Sequence, residues 1–204
     1  MAQTETDTFD RLASGYDRGM SLLEGRWLRS MRARMLPRAT GRVLEIGVGT
    51  GANLPFYPSS LSISAVDEST DMLEVAERRA ASLSRRVHLS QVDVEHLSFP
   101  SSHFDTVVAS LVLCSVVNQP RALGELSRVI RRPGGFLLLL EHMRPENAPL
   151  SWLADILDIP WCAVNQRCHL NRRTQQAIER SGFHVEQVET RLGGFLRLIV
   201  ARSV

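Results

Sequence analysis

The sequence predicts an α/β fold, with a doubly wound, mostly parallel sheet of seven strands that ends in a C-terminal antiparallel hairpin. Three observations lead to this class. From residue 42 onward, short apolar runs alternate with segments of helical periodicity. Glycine and proline separate many of these segments. The last two apolar runs follow each other with no helical segment between them, which is typical of a hairpin.

Composition limits the classes of protein to consider. The chain has 204 residues, of which 44% are hydrophobic and 23% charged, as in a single globular domain spanning residues 1–204. A net charge of +2 does not indicate a nucleic-acid partner. All 24 basic residues are arginine, so the lysine of a Schiff base, of pyridoxal phosphate attachment or of a P-loop is excluded.

Cysteine usage and the opening residues concern the compartment. The three cysteines form no C-x-x-C pair, so we expect neither a disulfide framework nor a metal site. The opening MAQTETDT is polar, and no apolar run is long enough to span a bilayer. The expected location is therefore the cytoplasm.

Residues 1–40 are predicted to form a helical cap. An apolar stripe at helical spacing predicts a short first helix, through Phe9, Leu12, Ala13 and Tyr16. A second helix, ending near Pro37, carries the stripe Leu23, Trp27, Met31 and Met35, surrounded by Arg26, Arg29, Arg32 and Arg34. We favour the interpretation that this basic helix covers its own domain's core. The alternative is weak contact with a membrane surface.

Residues 41–142 are predicted to form the ligand-binding core. Its five strands are expected at residues 42–46, 61–66, 87–92, 104–109 and 136–140. Ser69 is expected to cap one connecting helix and Pro120 to open another. Residues 143–204 are predicted to supply the substrate side, with an irregular stretch over 143–170, a helix over 171–181 and a hairpin of 184–192 with 195–202.

A glycine-rich turn follows the first predicted strand, in the order Gly47, Gly49, Gly51. Glycine lets the backbone turn tightly and approach a ligand closely. Nicotinamide-binding folds usually show G-x-G-x-x-G, whereas this spacing is G-x-G-x-G and is preceded by Glu45. A carboxylate there would repel a pyrophosphate but would suit an ammonium or a sulfonium. The turn therefore favours a cofactor that contains an amino acid.

Two further acidic residues follow the second and third predicted strands. Asp67 comes 22 residues after Glu45, where a carboxylate can accept hydrogen bonds from ribose hydroxyls. Asp93 and Val94 follow the third strand, where they can meet an adenine edge. A single aspartate after a strand is more often a helix cap or a turn residue. Acidic residues in this order on three successive strands are a much more specific indication of a nucleoside-containing cofactor.

Residues 9–142 resemble the class I S-adenosylmethionine-dependent methyltransferases, in the branch of the quinone-biosynthesis methyltransferases. The matching segments are VLEIGVGTG, AVDESTDML, VDVEHLSFPSSHFDTVVAS and LSRVIRRPGG. The resemblance implies a Rossmann-like fold and S-adenosylmethionine as cofactor. It implies cofactor contacts at Glu45, Gly47, Gly49, Gly51, Asp67, Met72, Asp93, Val94 and Leu111. It also places Tyr16 in a lid helix over the site, as a catalytic candidate.

Other segments of the chain concern the methyl acceptor. LVLCSVVNQPRAL, LLLLEHM and CHLNRRT resemble the small-thiol S-methyltransferases of the methyltransferase-like group. GVGTG and the basic second helix resemble bacterial phosphatidylethanolamine N-methyltransferases. The resemblance implies a small-molecule acceptor, with a thiol favoured over a phospholipid, a quinone or another natural product. A cofactor-binding domain without turnover is the least favoured alternative.

His142, after the fifth predicted strand, is the candidate general base, because an imidazole titrates in the useful pH range. A packing role for His142 is an equal alternative. Cys114, beyond the fourth strand, is expected to be buried and inert. Trp152 and Trp161 are expected either to line an apolar substrate pocket or to belong to the core. The sequence does not indicate an oligomeric state.

Overall fold

The computed structural model describes residues 25–164 and 167–204. Seven strands form one sheet in the order β3-β2-β1-β4-β5-β7-β6. The strands are β1 Val43–Ile46, β2 Ile63–Asp67, β3 Val87–Gln91, β4 Thr106–Ser110, β5 Phe136–His142, β6 Phe183–Arg191 and β7 Leu196–Ser203. Strands β1 to β5 pair in parallel, and β7 runs antiparallel between β5 and β6. The predicted fold class is confirmed.

Five α-helices accompany the sheet in the described ranges: α1 Gly25–Met35, α2 Thr70–Ser82, α3 Gln119–Val129, α4 Ala148–Val164 and α5 Thr174–Arg180. As predicted, Ser69 caps α2, and its Oγ accepts a hydrogen bond from the Met72 N–H at 3.2 Å. Pro120 lies in the first turn of α3, where its missing N–H leaves no bond unmade. Asn118 is the N-cap of that helix.

The core forms two layers, one on each face of the sheet. Alternate residues of β5 point to opposite faces, so Leu137 and Leu139 join one cluster while Leu138 and Leu140 join the other. One cluster is completed by α3 and the other by α1 and α2. Helices on both faces explain why the central strands are apolar throughout.

Helix α1 differs from its prediction at one residue of the buried face, Trp27. Leu28, Met31 and Met35 are fully buried, whereas Trp27, predicted on the apolar stripe, is 48% exposed. Met31 and Met35 are thus buried as predicted, Leu28 takes the place predicted for Trp27, and Leu23 lies outside the described residues. Trp27 remains at the surface with the Arg191 guanidinium 5.9 Å from its ring centroid.

The prediction of an irregular stretch over residues 143–170 is wrong for most of its length. Residues 148–164 form α4, in which Pro160 lies close to the C-terminal end. Its surface is apolar on several sides, so no single periodic stripe indicates a helix. Proline removes one backbone donor, which disfavours a helix by sequence but is tolerated here near the helix end.

No helix within residues 25–164 and 167–204 has the length and apolar character needed to cross a bilayer.

Candidate active site

The turn after β1 forms a glycine-lined cradle at the carboxyl ends of the parallel strands. Gly47, Gly49 and Gly51 have φ angles of +58°, +52° and +76°, in the region that favours glycine. A Cβ on Gly47 would lie 2.4 Å from Cγ2 of Val112, so no side chain fits there. A Cβ on Gly49 would meet no atom of the described residues within 4 Å. Backbone and open space therefore face a ligand beside Gly49.

Asp67 ends β2 with its carboxylate next to this cradle. Its Oδ2 accepts a hydrogen bond from the Gly49 N–H at 2.8 Å, and its Oδ1 accepts one from the Ser69 N–H at 3.0 Å. These bonds fix the direction of the carboxylate and tie the turn to the start of α2. Met72, in the first turn of α2, is buried. The contact of Asp67 with two ribose hydroxyls stays a prediction.

Glu45 lies beneath the cradle and is 1% exposed. Tyr57 donates its hydroxyl to Oε2 at 2.8 Å, and Asn53 donates its amide to Oε1 at 2.9 Å. Burial raises the pKa of Glu45 to about 7, against the opposing effect of these hydrogen bonds. A carboxyl group poised near neutrality can become an anion when a cationic ligand approaches. This agrees with the preference for an ammonium or sulfonium inferred from the turn.

Asp93 and Val94 follow β3, on the same edge of the sheet. Asp93 Oδ1 accepts a hydrogen bond from the Glu95 N–H at 2.8 Å, and Oδ2 lies 2.7 Å from Nδ1 of His96. Val94 is buried. The Asp93 carboxylate thus shapes its own turn and lies partly exposed beside it, while its role at an adenine ring stays a prediction.

The loop after β4 closes over the glycine cradle. Leu111 has a φ of +60°, and its N–H donates to the Leu140 carbonyl at 2.7 Å. A non-glycine residue in this conformation is strained, and such strain is concentrated at functional sites. The next residue, Val112, packs against Gly47. Leu111 therefore lies close to the glycine turn, as expected of a residue that contacts the same cofactor.

Glu141 is a functional candidate that the sequence analysis did not single out. It is fully buried, and its carboxylate accepts hydrogen bonds from three successive amides, those of Val112, Leu113 and Cys114, at 2.8, 2.9 and 3.2 Å. Burial raises the pKa of Glu141, against the effect of these three backbone bonds. The signal was an acidic residue directly after the apolar run FLLLL of β5.

His142, the candidate base, ends β5 and is 5% exposed. Its Nδ1 lies 3.3 Å from Sγ of Cys168, which in turn lies 3.4 Å from Sγ of Cys114. Cys114 is buried as expected, and its contact with Cys168 together with burial raises the pKa of its thiol well above the ordinary value. Three separate segments meet here, so their spacing in the sequence did not indicate the cluster.

Helix α4 lies on this side of the molecule, but its two tryptophans differ. Trp161 is half-buried, with its ring centroid 6.0 Å from that of His142 in an edge-on contact. Trp152 is 67% exposed and therefore does not belong to the core. Tyr16, the other catalytic candidate, and the predicted first helix lie outside the described residues.

The cradle, Asp67 and Asp93 fit a ligand that combines an amino acid with a nucleoside. The Gly49 side of the turn has the space, Glu45 offers a carboxyl group beneath it that can ionise, and the two aspartates follow along the carboxyl ends of β2 and β3. This is the arrangement expected for S-adenosylmethionine.

Comparison with known proteins agrees with this geometry. Residues 44–139 match the family model of the methyltransferase domain. The thiol S-methyltransferase TMT1A of Homo sapiens is 35% identical over 147 residues, which is 69% of this chain and 59% of that protein. A phosphatidylethanolamine N-methyltransferase of Cereibacter sphaeroides is 40% identical over 114 residues, covering 54% of this chain and 55% of that protein. The chain thus spans less than two thirds of these relatives.

A solved structure of similar extent is the SAM-dependent methyltransferase from Thermotoga maritima. It superposes with a TM-score of 0.71 at 21% identity and covers 98% of this chain and 100% of that chain. At this level of identity the likeness concerns the fold. The superposition also covers the region after residue 142, which lies outside the match to the family model.

Proposed function

Because this chain belongs to the class I S-adenosylmethionine-dependent methyltransferases, we propose that it transfers a methyl group to a small acceptor, and that this acceptor is a thiol. The observation that carries the proposal is the set of ligand-facing groups at the carboxyl ends of β1 to β3: the glycine cradle with Asp67 bonded to Gly49, and Asp93 beyond it. The cofactor supplies a methyl group already activated on a sulfonium.

The protein's own contribution is alignment and exclusion of water. The cradle and Asp67 hold the cofactor, while the strained loop at Leu111, fixed by Glu141, forms the wall beside it. Holding the two reactants in line can lower the activation barrier by about 7–11 kcal/mol. The reaction therefore needs little additional catalysis by acids or bases. Tyr16 is proposed to cover the acceptor from the N-terminal side.

A thiol acceptor is supported by chemistry and by the relatives. A thiol with a pKa of about 8.5 is a few per cent ionised at neutral pH and needs only modest help, whereas an aliphatic amine is mostly protonated. The chain has no lysine to act as base, and His142 is proposed to assist thiol ionisation. The name of the human relative specifies thiol S-methylation.

A phospholipid acceptor is the second candidate. It is supported by the bacterial relative and by six exposed apolar residues of α4, Trp152, Leu153, Ile156, Leu157, Ile159 and Val164. The basic helix α1 supports it less. Arg34 pairs with Glu189 at 2.7 Å and Arg32 donates to Asn53 at 2.9 Å, so part of the arginine face is engaged within the chain.

The proposed compartment is the cytoplasm. A thiol acceptor of the kind proposed is maintained in a reducing compartment.

An acceptor panel tests the proposal. The protein is incubated with methyl-labelled cofactor and a small alkyl thiol, an aliphatic amine, a phenol or phosphatidylethanolamine vesicles. We expect thioether formation at a rate at least about tenfold above that of any other acceptor, because a thiolate attacks a sulfonium readily whereas an aliphatic amine is mostly protonated at neutral pH. Methylation of the lipid without thioether product would replace the thiol proposal by the phospholipid one.

A further inference from the structure

Cys114, His142 and Cys168 bring together three metal-ligand side chains of the described chain. Their ligand atoms all lie within 4.8 Å of one another, and all three residues are buried. The set is soft, with two sulfurs and one imidazole nitrogen. Such sets select zinc or cuprous ions over magnesium or calcium, which prefer oxygen.

The spacing of the cluster matches the geometry of a tetrahedral zinc ion. Zn–S bonds of about 2.3 Å and Zn–N bonds of about 2.0 Å place two sulfurs about 3.8 Å apart and a sulfur and nitrogen about 3.5 Å apart. The observed separations are 3.4 Å between the two sulfurs and 3.3 Å between Cys168 Sγ and His142 Nδ1. Movements of less than about half an ångström bring these two separations to the tetrahedral values, and the third separation, between Cys114 Sγ and His142, lies within 4.8 Å.

Both cysteines are held in place by buried acidic residues. The Cys114 amide donates to Glu141 at 3.2 Å. On the other side, Asp158 of α4 accepts hydrogen bonds from Nδ1 of His169 at 2.9 Å and from the Leu170 N–H at 2.8 Å, directly after Cys168. Outer contacts of this kind orient metal ligands and raise affinity.

A second set of contacts joins the two loops that carry the cysteines. The His169 N–H donates to the Cys114 carbonyl at 2.9 Å. The Arg172 guanidinium donates to the carbonyls of Leu113 and Val116 at 2.6 and 2.7 Å. The cluster is therefore preorganised rather than a chance approach of flexible side chains.

We propose that Cys114, His142 and Cys168 bind one Zn²⁺ ion, and that its fourth position takes the acceptor thiol as a thiolate. The second half rests on the thiol acceptor proposed above. Two thiolates and one imidazole with an open position form a donor set that catalytic zinc sites use. As the S–Zn bond forms, the thiol proton leaves to solvent and no electron is transferred. His142 then assists thiol ionisation as a zinc ligand.

The location of the cluster agrees with such a role. It lies where β5 and the loop after β4 reach the carboxyl edge of the sheet, and that loop packs against the glycine cradle through Val112 and Gly47. The half-buried Trp161 contacts His142 on the α4 side. An acceptor held there would be next to the wall of the cofactor site.

The first test measures the zinc content of the full chain. Zinc is removed with a chelator under reducing conditions, restored, and quantified by mass spectrometry. We expect one zinc per chain in the wild type and in Cys162→Ser, the matched control. Cys162 is the remaining cysteine, and its Sγ lies 3.8 Å from Nε2 of His169, outside the cluster. Cys168→Ser and His142→Ala should lower the zinc content at least about tenfold.

Folding of each variant is checked by circular dichroism and by binding of S-adenosylhomocysteine. Folded wild-type protein that takes up no zinc, or that forms a Cys114–Cys168 disulfide and takes up none after reduction, would overturn the metal site. Equal zinc content in the wild type and in a folded Cys168→Ser would also overturn it.

The second test addresses the open position. The Co²⁺-loaded protein should show a thiolate-to-cobalt charge-transfer band that grows when a small alkyl thiol is added. No growth would overturn the thiolate half while leaving the metal half intact. The cobalt band can be measured without any methyl transfer. A failure of the metal inference can therefore be distinguished from a failure of the proposed function. Thioether formed at an undiminished rate by zinc-free protein would also reject the role of the ion.

Discussion

Two opposing effects set the pKa of Glu45: burial raises it and hydrogen bonds lower it. Its carboxyl group is buried beneath the glycine cradle, and two neutral donors, Tyr57 and Asn53, are its hydrogen-bond partners there. Sequence analysis identified the residue and its place under the turn. It could not identify the partners, because Tyr57 and Asn53 lie in an irregular segment whose path depends on packing.

Glu45→Gln should change how stability depends on pH. The folded pKa of about 7 lies above the unfolded value of 4.5, so the folded state holds a proton that the unfolded state releases between these values. Wild-type stability should therefore fall, relative to Glu45→Gln, by up to about 3 kcal/mol as pH rises from 5 to 8. Urea unfolding of the cofactor-free protein measures the difference.

The matched control for this measurement is Glu77→Gln, which alters an exposed carboxylate on α2. That variant should track the wild type across the same pH range. A Glu45→Gln curve parallel to the wild-type curve would mean that the carboxyl group is already ionised at pH 5.

Helices α1 and α4 show what periodicity can and cannot predict about an element. The existence of α1, its end near Pro37 and the cap of α2 at Ser69 were predicted correctly, because proline and cap residues act locally. Met31 and Met35 were predicted correctly on the buried face of α1, but Trp27 was not, because Trp27 and Leu28 are both apolar and the pattern allows either to face inward. Packing against the sheet decides between them.

Met31→Ala tests the orientation of α1. Met31 is fully buried against the sheet, so its truncation should lower the free energy of unfolding by about 2–5 kcal/mol. Trp27→Ala, a larger deletion one turn earlier, should cost about 1 kcal/mol or less, because the ring is half-exposed. Chemical denaturation of both variants measures the pair. A larger loss in the free energy of unfolding for Trp27→Ala than for Met31→Ala would indicate that Trp27 lies on the buried face.

For the whole molecule, the β-α alternation predicts parallel strands, whose carboxyl ends meet at one edge of the sheet. The positions of Glu45, Asp67 and Asp93 at one edge were therefore predictable. The cluster of Cys114, His142 and Cys168 was not, because its third member arrives through α4 and a long-range contact. The spacing of residues along the sequence does not predict a contact between segments that are so far apart in the chain.

S-Adenosylhomocysteine should stabilise the folded molecule by mass action. At a concentration of 100 times its dissociation constant, the gain is about 2.7 kcal/mol, seen as a rise in melting temperature. NADH should produce no comparable rise. Asp67→Ala should bind at least about tenfold more weakly, because hydrogen bonds to a charged acceptor contribute about 1.5–3 kcal/mol each.

Glu74→Ala serves as the control for this measurement, because it removes an exposed carboxylate from α2, the helix that follows Asp67. It should leave the shift unchanged. Stabilisation by NADH but not by S-adenosylhomocysteine would contradict the assignment of the cofactor site.

The insertion of β7 between β5 and β6 has a consequence for synthesis on the ribosome. About 50 residues separate the end of β5 from the start of β7, so at about 5–20 residues per second the outer edge of β5 waits several seconds for its partner. That edge belongs to the apolar run FLLLL, which can pair with another nascent chain. Expression at lower temperature prolongs this interval, whereas a chaperone that shields the strand would make it harmless.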